Sequence, residues 1–197
     1  MDAPLVLGIA GSPRRHGNSE QLLDACLAGA ADGGTRVQKL VVTDYAIEPC
    51  RGCNSCSLTG ECVIRDQMRE VYAAIDSAQA IVVASPVFFA TVPGVLKVLF
   101  DRMQPYWART QVLKQPRPAR RPGALLLVRS GGDPYGFVAA EYTVKSVFAV
   151  LGIDCVGEMK VTGVDSASDV SRHPGELDRA RELGAQVAAA ALGTPGG

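Results

Sequence analysis

The 197-residue sequence predicts an α/β domain built on a doubly wound, five-stranded parallel sheet of order 2-1-3-4-5, with helices on both faces. Three observations predict it. Strand-like and helix-like segments alternate along the chain, which makes the sheet parallel and covers it with helices. The strand segments are apolar throughout, the mark of strands buried on both faces. Five strands and five helices in this length match the count for one such domain. One domain over 1–192 is expected, with 193–197 ("GTPGG" from Gly193) as a frayed tail and no internal repeat.

The elements follow in order. Leu5 to Ala10 ("LVLGIA") is a short apolar run stopped by Gly11, hence strand one. Ser19 to Ala31 places Leu22, Leu23, Cys26, Leu27 and Ala30 at helical spacing, and Gly33-Gly34 ends it. Val37 to Val42 is strand two, followed by a cysteine-rich loop at 47–66. Met68 to Ala80 carries Val71, Ala74, Ile75 and Ala78 on one helical face, and Ala80 to Ala84 ("AIVVA") is strand three. Pro93 to Met103 suits a helix with proline at its first position. Arg109 to Pro122 ("RTQVLKQPRPARRP") is basic and proline-rich, hence a loop. Ala124 to Val128, Val138 to Leu151, Ile153 to Val161 and Gly175 to Leu192 complete the alternation as strand, helix, strand and helix. The count and order correspond to the flavodoxin-like form of the doubly wound sheet, which binds ligands outside the carboxyl ends of its strands.

Composition narrows the function. Twenty basic and twenty acidic residues balance to zero net charge, which gives no reason to expect nucleic acid or an anionic membrane as partner. No apolar run reaches the ~18 residues that span a bilayer. Met1-Asp2-Ala3-Pro4 has no basic segment and leads straight into a strand, so it does not read as a signal peptide. The expected compartment is the cytoplasm, where thiols are kept reduced and clustered cysteines serve metals or redox chemistry.

Three loops fall at the ligand-binding edge. "GIAGSPRRHGNSEQLL" (8–23) lacks both the G-x-G-x-x-G fingerprint and a Gly-Lys-Ser/Thr phosphate loop. It still has the makings of an anion site. Ser12, Asn18 and Ser19 offer donors, and Gly11 and Gly17 let the backbone turn. The following helix contributes its positive end, with Arg14, Arg15 and His16 nearby. The bland alternative is an N-cap after a polar turn. "PVFFATVPG" (86–94) is unusually apolar for such a loop; Phe88 and Phe89 can line an aromatic ligand, or serve as core or a dimer contact. "RSGGDPYGF" (129–137) permits close backbone approach at Gly131-Gly132, or is an ordinary turn.

In this order, "GSPRRHGNS", "SPVFFATVPGVLKVLFDR" and the Gly-Gly loop resemble the NAD(P)H-dependent FMN reductase family over roughly residues 5–190. The compact motif Cys50, Cys53, Cys56, Cys62 resembles, more narrowly, the iron-sulfur flavoproteins of that family. The resemblance implies FMN beside a [4Fe-4S] cluster on that motif, in a homodimer or homotetramer. It implies Ser12, Arg14, Asn18 and Ser19 around the FMN phosphate. Pro86, Val87, Phe88, Phe89 and Ala90, with Ser130, Gly131 and Gly132, would surround the isoalloxazine. One departure is that relatives carry two acidic residues before the Met of "RDQM", where this chain has Arg65, Asp66 and Gln67; a helix start is the expected place of its effect.

Read by its residues, "IEPCRGCNSCSLTGECVIRD" (47–66) has C-x2-C-x2-C-x5-C spacing and enough thiolates for a [4Fe-4S] cluster. Zinc accepts the same four donors, though structural zinc usually joins two separated pairs. A disulfide switch is a third reading. Cys26 and Cys155 fall on a helix and a strand and read as core.

The function expected is a redox flavoprotein moving electrons between FMN, a [4Fe-4S] cluster and a partner such as ferredoxin or a small-molecule acceptor, with NAD(P)H as a candidate donor. No side-chain acid or base stands out as catalytic. The rivals are a cluster-free NAD(P)H-dependent FMN or quinone reductase and a non-enzymatic cysteine redox sensor or zinc-binding module.

Overall fold

The computed structural model describes residues 3–167 and 169–193. Its five strands form one parallel sheet of order 2-1-3-4-5: β1 (Leu5–Ala10), β2 (Arg36–Val41), β3 (Ala80–Pro86), β4 (Arg121–Arg129) and β5 (Ile153–Thr162). The helices are α1 (Asn18–Asp32), α2 (Cys56–Thr59), α3 (Met68–Ser77), α4 (Gly94–Asp101), α5 (Gln104–Gln111), α6 (Val138–Leu151) and α7 (Pro174–Gly193). Of the expected tail, Gly193 closes α7 and 194–197 lie outside the described residues, as do Met1 and Asp2 of the amino terminus.

The period-two alternation of side chains divides the central strands between two cores. Leu7, Ile9, Ile81, Val83, Leu125 and Leu127 pack on the α3–α6 side. Val6, Ala10, Val82, Ala84, Leu126 and Val128 pack on α1 and α7. All six residues of β1 are buried, as expected of a strand covered on both faces. The edge strands depart from that expectation. In β2 the first four residues are exposed, and β5 is mostly exposed, because each has a neighbour on one side only.

Two departures come from the basic segment after α4. It is not a loop throughout: α5 takes up 104–111 and β4 begins at Arg121 rather than Ala124. Tyr106 is buried, donates its hydroxyl to Asp76 at 2.8 Å and lies under the Arg109 guanidinium. The arginine thus covers an aromatic ring. Arg121 donates from Nη1 to the carbonyls of Ile75 and Ala78 at 2.5 and 2.7 Å, satisfying groups that the end of α3 leaves open. Tyr106 is therefore core, whereas Trp107 stays 43% exposed. Cys26 is core, and burial pushes its thiol up to about 12. Cys155 is exposed on edge strand β5, a correction to its reading as core. Among the described residues no helix is long and apolar enough to cross a membrane.

Candidate functional site

The carboxyl ends of β1, β3, β4 and β5 open onto a cavity of about 390 Å³, within the range of small-molecule sites. Ser12, Arg14, Asn18, Ser19, Pro86, Val87, Phe88, Phe89 and Ser130 all line it, gathered from three loops. Ala90, Gly131 and Gly132 do not; they lie beside it, in the same loops.

At the first loop, Gly11 hydrogen bonds to the Ala84 carbonyl at 2.8 Å. A side chain there would run into Leu96, so glycine lets the loop lie over α4. The Ser12 hydroxyl accepts from the Arg14 N–H at 3.0 Å, which leaves its own O–H free to donate. Gly17 precedes α1 without a capping side chain, and the first N–H that returns to it is that of Gln21. The start of α1, at Gly17, Asn18 and Ser19, therefore faces the cavity with its positive end. The buried Glu20 carboxylate belongs to the underside of this loop. It accepts from His16 N–H at 2.6 Å and Lys39 at 3.0 Å. Burial pushes its carboxyl up, but the bonds from Lys39 and His16 with the charges of Lys39 and Arg15 hold it below its ordinary value.

Asn18 differs from its expected role as a free donor. Its amide donates to the Ser166 carbonyl at 2.8 Å and accepts from Val170 N–H at 3.0 Å, tying α1 to the loop after β5. One amide N–H remains for a ligand. That loop supplies Val164 and Asp165 to the cavity wall, a contribution the sequence reading missed. Asp169 shapes it by accepting from the N–H groups of Asp165 and Ser166, both at 2.8 Å. The Ser166 hydroxyl is the chief cause of the depressed Asp169 carboxyl, ahead of those two N–H groups. The signal that could have found it is its position, since "GVDSASD" leaves strand five at the same sheet edge. Arg129 was missed as well, although the Gly-rich loop of 129–137 begins on it. It lines the cavity, lies 5.3 Å from the Phe137 ring and keeps a buried Nε without a partner.

The loop after β3 is a tight reversal. Phe88 and Thr91 exchange N–H···O bonds of 2.8 and 3.1 Å. Phe89 and Ala90 between them both have positive φ, 49° and 69°. Neither Phe88 (45% exposed) nor Phe89 (101%) is core, so the rings stand at the cavity mouth. Left-handed backbone costs a non-glycine residue roughly 1–2 kcal/mol, and such strain collects at functional loops. Ala90→Gly is expected to raise the thermal midpoint modestly, because unfolded glycine's extra freedom returns only roughly 0.5–1 kcal/mol of that relief. A lower midpoint in calorimetry would show that the turn is not strained.

A second cavity, also about 390 Å³, is lined by Cys50, Cys53, Cys56 and Cys62. The loop reaches that arrangement through positive φ at Gly52 (63°), Asn54 (59°) and Gly60 (75°), with Cys56 opening the single helical turn α2. Hydrogen bonding to Ser55 holds the Cys53 thiol below its ordinary value. Burial, joined by the neighbouring Cys62, Cys50 and Cys53, pushes Cys56 up. Among the described residues no three His, Cys, Asp or Glu side chains meet closely enough to hold one metal ion. Four thiols on the lining of one cavity are the number of donors that a [4Fe-4S] cluster takes. Beneath this cavity Arg102 forms a two-pronged ion pair with Asp66, at 2.7 and 3.0 Å. Burial pushes the Asp66 carboxyl up, but Arg102 and the N–H groups of Glu48 and Met68 hold it below its ordinary value. Gln67, which stands where the second acidic residue before Met68 is missing, sits at the start of α3 and accepts the Ala46 N–H at 2.7 Å, while Asp66 accepts the Met68 N–H at 3.2 Å.

Known proteins bear on both cavities. The NADPH-dependent FMN reductase family matches residues 4–165. An iron-sulfur flavoprotein of Archaeoglobus fulgidus is 34% identical over 186 residues, 94% of this chain and 79% of that protein. The iron-sulfur flavoprotein MJ1083 of Methanocaldococcus jannaschii is 32% identical over 93% of this chain and 95% of its own length. Among solved structures, a flavone reductase superposes with a TM-score of 0.70 at 17% identity, covering 96% of this chain and 63% of that longer one, a likeness of fold.

Proposed function

The chain belongs to the NADPH-dependent FMN reductase family, and from that premise we propose that this redox flavoprotein, an FMN oxidoreductase, passes electrons between FMN, a [4Fe-4S] cluster on its four loop cysteines and an external redox partner. The observation that carries the reading is that Cys50, Cys53, Cys56 and Cys62 all line one cavity, apart from the one at the sheet edge. The names of the iron-sulfur flavoproteins it resembles support it. FMN, when bound, supplies the exchange of two electrons with one partner and single electrons with another.

The chain's own residues bind and orient. Ser12 O–H, the open start of α1 and Arg14 would hold the phosphate, with Ser19 in the first turn. Pro86 to Phe89 and Ser130 would flank the ring system, with Ala90, Gly131 and Gly132 shaping their loops. Arg129 adds a cation to that wall. The four thiolates would ligate the cluster. A ferredoxin-like partner, NAD(P)H as donor, a cytoplasmic setting and a homodimer or homotetramer complete the proposal; exposed Phe88, Phe89 and Trp107 offer apolar surface for self-association.

Protein prepared without oxygen is expected to show flavin and iron-sulfur absorbance together, with iron and acid-labile sulfide in equal amounts. Flavin without iron would leave the cluster-free FMN or quinone reductase as the better account. Flavin released by heat should chromatograph as FMN; FAD as the sole species would refute the single-phosphate cradle. Ser12→Ala should weaken FMN binding by on the order of 1.5–3 kcal/mol, the worth of a hydrogen bond to a charged group. A fluorescence titration reads this, and unchanged affinity would move the phosphate elsewhere.

A further inference from the structure

Among the described residues Arg102 is the largest fully buried side chain, at 1% exposure. Its Nη1 donates to the Glu48 carbonyl and to Asp66 Oδ2, both at 2.7 Å, and its Nη2 donates to Asp66 Oδ1 at 3.0 Å. Asp66 in turn accepts the Glu48 N–H at 2.8 Å. The pair thus closes the two ends of the cysteine loop, before Cys50 and after Cys62. Loop closure accounts for both terminal nitrogens and leaves Nε over, buried and without a partner.

The placement of the two charges is unequal. Arg102 lines the cysteine cavity, and Asp66 does not. Of the two charged residues, the cationic one is therefore on the wall that the cysteines share. The other charged groups on that wall are Arg51 and Asp101, both exposed and paired with Glu48 and Lys97; water screens them, whereas Arg102 is shielded from it. A guanidinium stays charged at every working pH.

We propose that Arg102 is a positioning residue for the cluster site, placing a fixed, buried positive charge at its wall and so favouring the reduced form of the cluster. The inference rests on the cluster reading above. One-electron reduction, with the electron drawn from an external titrant or from reduced flavin, adds one negative charge to the cluster and breaks no bond. A buried cation at the cavity wall lowers the free energy of that added charge, and Asp66 behind it offsets part of the effect.

The test is an anaerobic potentiometric titration of the cluster, followed by its low-temperature EPR signal, in the parent protein and three variants. Arg102→Gln removes the cation and should disfavour reduction about tenfold, which for one electron is a downward shift of about 59 mV. Asp66→Asn removes the opposing anion and should shift the potential upward. Arg102→Lys keeps the charge and should lie nearer the parent than Arg102→Gln does. Opposite signs for Arg102→Gln and Asp66→Asn are what a role in loop closure alone would not produce. Shifts of the same sign, or an unchanged potential in Arg102→Gln with full iron, would overturn the proposal. So would loss of iron from all three variants, which would leave Arg102 a loop-closing role only. Absence of iron and sulfide from the parent would instead remove the cluster reading itself, a failure visible before any variant is made.

Discussion

Cys53→Ser and Cys56→Ser are each expected to lose the iron while keeping the fold and the flavin. The two cavities draw on different segments. The sheet-edge cavity takes its walls from the loops after β1, β3, β4 and β5, whereas the cysteine cavity takes its walls from 50–64, the end of α4 and the start of α5. Cys53 is exposed and Cys56 half-buried, so neither thiol fills a core position. The loop ends stay fastened by Arg102 and Asp66 whether or not the thiols are present. A serine hydroxyl keeps the size and loses the soft thiolate that iron-sulfur sites use. Flavin reduction by a chemical two-electron donor should therefore survive, while single-electron transfer to a protein acceptor should slow sharply. Iron, sulfide and stopped-flow flavin absorbance can be read on the same preparations. Full iron and sulfide in both variants would show that these cysteines are not ligands.

Gly184→Val should be among the most destabilising single changes in the chain. α1 and α7 pack on the same face of the sheet with their backbones in contact. A Cβ on Gly184 would overlap the Cys26 carbonyl oxygen, and one on Gly29 would overlap that of Arg181. Overpacking ordinarily costs about 1–3 kcal/mol because side chains shift to make room. Here the obstacle is helix backbone, so the helices must separate and give up the packing of Leu23, Leu183 and Val187. A loss of about 3 kcal/mol or more is expected, a large share of the ~5–15 kcal/mol that holds a domain folded. Because the start of α1 lines the sheet-edge cavity, the proposed FMN affinity should fall with it. Urea unfolding measures the cost. Gly175→Ala, in α7 with open space around it, serves as the neutral control. An unchanged midpoint for Gly184→Val would mean that the helices can move apart freely.

Much of this architecture was legible because it depends on local pattern. The apolar runs of β1 and β3 and the helical face of Val71, Ala74 and Ile75 are burial written into residue order. The exposed edges and α5 were less legible. β2 is an edge only because the chain crosses back from β1 to β3, so the exposure of Val37 is a property of strand order. α5 contains Arg109 and follows α4 closely; what holds it is Tyr106 reaching Asp76 and Arg109 reaching the Gly60 carbonyl at 2.8 Å, partners remote in sequence.

The division is the same at the two cavities. By itself the sequence determined the alternation that makes a parallel sheet, the loops that must meet at its carboxyl edge, and the four thiols held within one short segment. Those follow from chemistry carried by neighbouring residues. Only the tertiary structure decided that Asn18 is largely engaged by the loop after β5, that Arg129 and Asp165 join the sheet-edge cavity, and that Arg102 lies beneath the cysteines with one nitrogen unpaired. The physical reason is separation along the chain. The bonds of Asn18 span 148 and 152 residues and the Arg102–Asp66 pair spans 36. Which polar groups satisfy one another across such intervals is set by the packing that brings them together.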